Sequence, residues 1–92
     1  MICVGVDVSK GKSTVAAIDE NGEVFMQASE YEHTETGMAE LIQKLKALKE
    51  ELRIVVENTG HYHWPLVNSL MDAGFFVCVV NSIIVSKFAK VQ

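Results

Sequence analysis

Residues Ile2 to Val8 (ICVGVDV) form a nearly unbroken apolar run with an acid, Asp7, at its C-terminal end. A β-branched run of this length is a strand. Its lack of polar alternation suits a central strand covered on both faces rather than a half-exposed one. Such a strand needs neighbours to pair with and helices to cover it, and the rest of the chain can be read for both.

Thr14 to Ile18 form a second apolar run, followed by Asp19-Glu20-Asn21-Gly22 and a third run from Val24 to Ala28. Asn-Gly tolerates the positive φ of tight turns, so the second and third strands should pair as a hairpin. Between Thr36 and Lys49 the apolar positions Met38, Leu41, Ile42, Leu45 and Leu48 recur every three or four residues, with Glu40 and Lys44 on the outer face. This spacing predicts an amphipathic helix, capped by Thr34 or Thr36. Arg53 to Glu57 read as a fourth strand that also ends in a carboxylate. A second helix should start near His61 to Trp64, with Pro65 in its first turn and Gly74 as its C′ residue. Phe75 to Val80 read as a fifth strand, and Ser82 to Lys90 have the spacing of a third helix. The predicted fold class is α/β: a mixed sheet of five strands, an antiparallel meander followed by βαβ crossovers, with flanking helices.

The 92 residues fit one domain, and 49% hydrophobic with 22% charged residues excludes disordered and linker classes. No apolar run approaches the roughly 18 residues of a membrane span, and no signal-peptide pattern opens the chain, so a soluble, cytoplasmic protein is expected. Cys3 and Cys78 each lie inside an apolar run and are expected as buried, reduced thiols. The formal net charge is −4, and from Asp19 to Glu40 there are seven acidic residues and no Lys or Arg. Such a surface repels phosphate. A chain of this charge that handles nucleic acid needs a metal ion or a further segment to supply positive charge.

The main chemical signal is the pair Asp7 and Glu57, each closing an apolar strand just before loop-forming residues. Ligands gather beyond the C-terminal ends of parallel strands, so the two carboxylates converge if the first and fourth strands are neighbours. Two hard oxygen donors then suit Mg²⁺ or Mn²⁺. The plainer alternative is that Asp7 caps the following turn while Glu57 pairs with a Lys or caps the next helix. Gly11-Lys12-Ser13 has the ending of a phosphate-binding loop but lacks the required Gly at position 6, which is Val, and leads into a strand instead of a helix. It reads as a solvated turn. His33, His61 and His63 match no standard zinc spacing and read as exposed or half-buried imidazoles, while Tyr62 and Trp64 read as packing residues.

Four segments together resemble the N-terminal region of the DEDD transposases, recombinases of the insertion-sequence family of the one-hundred-ten type. They are Val4 to Lys10, Ile18 to Val24, Glu57-Asn58-Thr59-Gly60-His61-Tyr62, and Gly74 to Asn81. The resemblance implies a ribonuclease-H-like fold, similar to Holliday-junction resolvases, in which four acids bind divalent metal where DNA strands are cleaved and exchanged. Asp7 matches the first acid and Glu57 the second, so both are the expected catalytic and metal-binding residues. Lys10, Thr59, Gly60 and Tyr62 belong to the same motif pieces and are expected near the substrate. Residues 1–92 then form a single N-terminal catalytic subdomain, with the two remaining Asp and a C-terminal domain carrying a serine nucleophile lying downstream. DNA and a guide RNA are the implied partners of the full-length protein, and two Mg²⁺ or Mn²⁺ ions its implied cofactors. Ser82 stands where the family commonly has Pro after Asn.

Two ions about 4 Å apart would stabilise the attacking and leaving oxygens of phosphodiester cleavage, and Asp7 on a rigid strand suits the bridging carboxylate. With half the tetrad downstream, the chain is expected to bind Mg²⁺ weakly, to cleave nothing alone, and to self-associate through uncovered apolar surface. Two rivals differ in class. An actin-like or sugar-kinase ATPase also opens with a strand ending in Asp, but it usually places Gly two residues later, where this chain has Ser9. A non-catalytic assembly module would keep the acids for structure.

Overall fold

The computed structural model describes residues 1–58 and 62–81. They form β1 (Ile2–Ser9), β2 (Lys12–Asp19), β3 (Val24–Glu32), α1 (Glu35–Ala47), β4 (Leu52–Asn58), α2 (Trp64–Asp72) and β5 (Val77–Asn81). The strands make one mixed sheet in the order β3-β2-β1-β4-β5, with β1 antiparallel to β2, β2 antiparallel to β3, and β1, β4 and β5 mutually parallel. The predicted architecture is therefore present. The third helix expected over 82–90 lies outside the described residues, as do Thr59, Gly60 and His61.

Local chemistry explains the boundaries. One Asp19 carboxylate oxygen accepts hydrogen bonds from the backbone N–H of Asn21 at 2.8 Å and of Glu23 at 2.9 Å, and Gly22 takes φ 83°, which closes the β2–β3 hairpin. Thr34 is the cap that α1 uses, its hydroxyl accepting from the Gly37 N–H at 3.1 Å. Pro65 occupies the first turn of α2, where its missing N–H costs nothing. That helix ends with Gly74 at φ 92°, its N–H donating to the Met71 carbonyl while Phe75 N–H donates to the Leu70 carbonyl, the two bonds of a Schellman motif.

Both helices pack on the same face of the sheet. The core joins Ile2, Val4, Val6 and Val8 of β1 with Val15, Ala17, Ile54 and Val56 from its neighbours, beneath Leu41 and Leu45 of α1 and Leu66 and Leu70 of α2. Along β1 burial alternates strictly, so Cys3, Gly5, Asp7 and Ser9 face the other way and are exposed. This corrects the expectation that β1 is covered on both faces, as far as the described residues go. The reason is topological: right-handed crossovers that add β4 and then β5 in the same direction must place their helices on one side. Cys3 and Cys78, expected to be buried, are both exposed for the same reason. No helix among the described residues is long and apolar enough to cross a membrane.

Candidate functional site

On the open face, Asp7 is the register partner of Glu57 across the parallel β1–β4 pair and of Thr14 across the antiparallel β1–β2 pair. Thr14 in turn pairs with Glu30, and Glu57 with Val80. One row of side chains thus crosses all five strands near the C-terminal ends of β1 and β4, with the two carboxylates adjacent at its centre. Asp7 is exposed and Glu57 half-buried. Both line a depression of about 400 Å³ with Gly5, Val6, Thr14, Ala16, Val55 and Val80. The depression exists because the neighbours one row below are small. A Cβ added at Gly5 would meet nothing within 4 Å.

Among the described residues, neither carboxylate has the structural role that would explain it away. Among the described residues, no ion pair or side-chain hydrogen bond engages Asp7 or Glu57. In the turn after β1 the Ser9 hydroxyl, not Asp7, bonds the Lys12 carbonyl, at 3.3 Å. The residue at the N-cap of α2 is His63, without a side-chain cap bond. Two like charges side by side repel, and a hard divalent cation relieves that repulsion while accepting oxygen donors at short range. The donor set therefore fits Mg²⁺ or Mn²⁺ as a partial site. No group of three or more His, Cys, Asp or Glu gathers among the described residues, so the pair supplies only part of a coordination shell.

Of the other candidate residues, Lys10 and Tyr62 are among the described ones, and neither lines the depression. Lys10 is exposed in the β1–β2 turn, beside Gly11 at φ 76°. Tyr62 lies in the turn before α2 and is 49% exposed, and Trp64 is 53% exposed. Both are thus more exposed than packing residues of the core, although Trp64 covers the ring of buried His63. Lys12, set aside in the sequence as part of a solvated turn, lies on β2 and forms an ion pair with Glu30 at 2.8 Å. The Glu30 hydrogen bond and charge hold its ammonium pKa above the usual lysine value.

The histidines separate. His33 is half-buried, and its Nε2 lies 2.6 Å from the hydroxyl of fully buried Ser13. Burial pushes its pKa below the ordinary imidazole value. His63 is buried, contrary to the expectation of an exposed or half-buried ring, and stacks at 4.4 Å on Trp64. As the N-cap of α2 it directly precedes the turn in which Leu66 and Val67 are buried.

Solved structures share this arrangement of strands and helices. Thermus thermophilus RuvC in complex with a Holliday junction substrate superposes with a TM-score of 0.67 at 11% identity, covering 95% of this chain and 68% of that one. A second T. thermophilus RuvC structure gives 0.59 at 12% identity, with 88% and 64% covered. A Bacteroides thetaiotaomicron protein with an actin-like ATPase fold and unknown function gives 0.62 at 18% identity, covering 86% of this chain but 32% of that one. The chain thus spans about two thirds of the RuvC chains and about a third of the actin-like protein. At these identities the likeness is one of fold, and the fold is RuvC-like, that is, of the ribonuclease-H type. No curated protein sequence matches the chain. The profile of the IS110-type DEDD transposases, described as Transposase, matches residues 4–92, and the chain belongs to that family.

Proposed function

We propose that this chain is the N-terminal part of the catalytic domain of a DNA transposase, in which Asp7 and Glu57 are the first two of four acids that hold divalent metal. The observation that carries the reading is the register pairing of Asp7 with Glu57 on the open face of a RuvC-like sheet. Transposase family membership implies a nuclease-type enzyme acting on DNA. Mg²⁺ or Mn²⁺, two ions in the complete enzyme, would supply Lewis-acid stabilisation of the charge that develops on the phosphate oxygens.

The chain's own contribution is positioning. Asp7 is fixed by β1, the central strand, so its carboxylate is anchored on the most constrained backbone of the sheet and suits a bridging role. Glu57, on the neighbouring strand with one more methylene, reaches the same space from the side. Lys10, and with it Thr59, Gly60 and Tyr62, would line the approach of the DNA backbone at the strand ends. The rest of the tetrad, a serine nucleophile, a guide RNA partner and homo-oligomeric assembly belong to the complete protein in this reading. The cytoplasm is its proposed compartment, where exposed Cys3 and Cys78 stay reduced.

Titration of the chain with Mn²⁺, followed by electron paramagnetic resonance, tests the assignment. Weak binding that disappears in both Asp7→Asn and Glu57→Gln is expected. Tight binding indifferent to either substitution overturns it.

A further inference from the structure

Two hydroxyls follow each other along β2 and go to opposite faces of the sheet. Ser13 faces the core, where its hydroxyl lies 2.6 Å from His33 Nε2 and serves the fold. Thr14, the next residue, faces the open side together with Asp7. It is the register partner of Asp7 on the flank away from Glu57, so the row runs Thr14, Asp7, Glu57 across three adjacent strands. Neighbouring strands lie roughly 4.8 Å apart, which puts anything held above Asp7 within reach of both flanks. Thr14 is half-buried and lines the same depression as the two acids.

The other groups lining that depression single Thr14 out. Asp7 and Glu57, when ionised, only accept hydrogen bonds. Gly5, Val6, Ala16, Val55 and Val80 bring no polar side-chain atom. The backbone of β1 is paired on both sides, with β2 and with β4. Among the described residues, the Thr14 hydroxyl is therefore the one uncharged polar side-chain group at the depression, and no side-chain hydrogen bond engages it. Glu30, its register partner on β3, is taken up by Lys12 at 2.8 Å. A hard cation such as Mg²⁺ keeps several coordinated waters when only one or two carboxylates hold it, and the hydrogens of those waters need acceptors.

We propose that Thr14 is a positioning residue of the metal site, its hydroxyl oxygen accepting a hydrogen bond from a coordinated water on the β2 flank of Asp7. This rests on the metal-site reading above. A third carboxylate at this place would add to the repulsion between two acids that already face each other across strands. A hydroxyl offers an acceptor there without adding charge. Glu57 then steadies the ion from the β4 side and Thr14 its water shell from the β2 side, with Asp7 between them.

Mn²⁺ affinities of the parent chain, Thr14→Val, Thr14→Ser and Asp7→Asn, read by electron paramagnetic resonance, test the proposal. Valine has the shape of threonine without the hydroxyl and suits a strand, so Thr14→Val isolates the oxygen. It is expected to weaken binding about fivefold, less than the roughly 10–100-fold that outer partners of metal ligands can carry, because the depression is open. Thr14→Ser, which keeps the hydroxyl, should bind like the parent. Urea unfolding in a chelator reads the fold separately, and the Thr14→Val midpoint should equal or exceed that of the parent. Binding weakened alike in Thr14→Val and Thr14→Ser overturns the proposal, and so does a lowered Thr14→Val midpoint, which would give Thr14 a role in the fold instead. If Asp7→Asn abolishes binding while Thr14→Val leaves it unchanged, this inference fails and the metal site stands. Binding that ignores Asp7→Asn, or no Mn²⁺ binding by the parent, removes both.

Discussion

Asp7 stands directly beside Glu57 across the parallel pairing of β1 with β4. Two carboxylates in that relation raise the free energy of the metal-free fold, since like charges facing each other across strands are destabilising. Asp7→Asn should therefore stabilise the metal-free chain, by about 0.5 kcal/mol, while removing its affinity for Mn²⁺. Urea unfolding of both forms in the presence of a chelator checks the sign. A loss of stability in the variant would mean that Asp7 serves the fold.

If Asp7 and Glu57 hold the metal as proposed, Glu57→Gln and Asp7→Asn in the complete protein should each abolish DNA strand cleavage while DNA binding persists, because in that reading the acids serve the reacting phosphate and not the grip on the DNA backbone. Cleavage and gel-shift assays on the same preparations separate the two.

Gly37 sits inside the first turns of α1, where replacing Gly by Ala ordinarily gains up to about 1 kcal/mol in helix propensity. Here the opposite is expected. A Cβ at this position would collide with the backbone carbonyl of Glu32, at the end of β3. Gly37→Ala should cost roughly 1–3 kcal/mol as the helix start is pushed off the sheet, measurable as a lowered urea midpoint at constant m-value.

The depressed pKa of His33 gives stability a defined pH dependence. The unfolded chain takes up a proton near the ordinary value of 6.5, and the folded chain does so only at lower pH. Between those two values the unfolded state binds more protons, so the contribution is fully present above about pH 6.5 and is lost as pH falls through the folded value. Melting temperatures of the parent and of His33→Gln should converge on acidification through this window. A gap that stays constant from pH 7.5 to about 5 contradicts the assignment.

Exposed Cys3 and Cys78 lie on the open face, so both should react with a thiol reagent without denaturant. If copies of the chain associate through that face, labelling slows as concentration rises, and sedimentation at matched concentrations shows whether the slowing follows assembly.

Much of this was legible in the residues. The apolar runs, the Asn21-Gly22 turn, Pro65 and Gly74 mark the strands and helix ends because each reports a local physical demand. The Asp7–Glu57 pair was legible because both acids end a strand and the crossover rules allow those strands to be neighbours. Burial was less so. An apolar run such as ICVGVDV does not say which alternate residues the two helices will cover, and the exposed cysteines follow from a crossover direction that residue type does not encode. The Lys12–Glu30 pair was hidden by register. Counted back from Ile18 opposite Val24, regular pairing would set Ala28 against Thr14. Two shifts, between Val15 and Ala17 and between Ala17 and Ile18, bring Glu30 there instead.

The parallel joining of β1 to β4 also sets when the acid pair comes into being. The first hairpins can close as soon as they leave the ribosome, but the second carboxylate takes its place only after a helix and a whole further strand have been synthesised and docked across a long loop. In a nascent or partly unfolded copy the two acids are not side by side, and the pair exists only in the finished sheet.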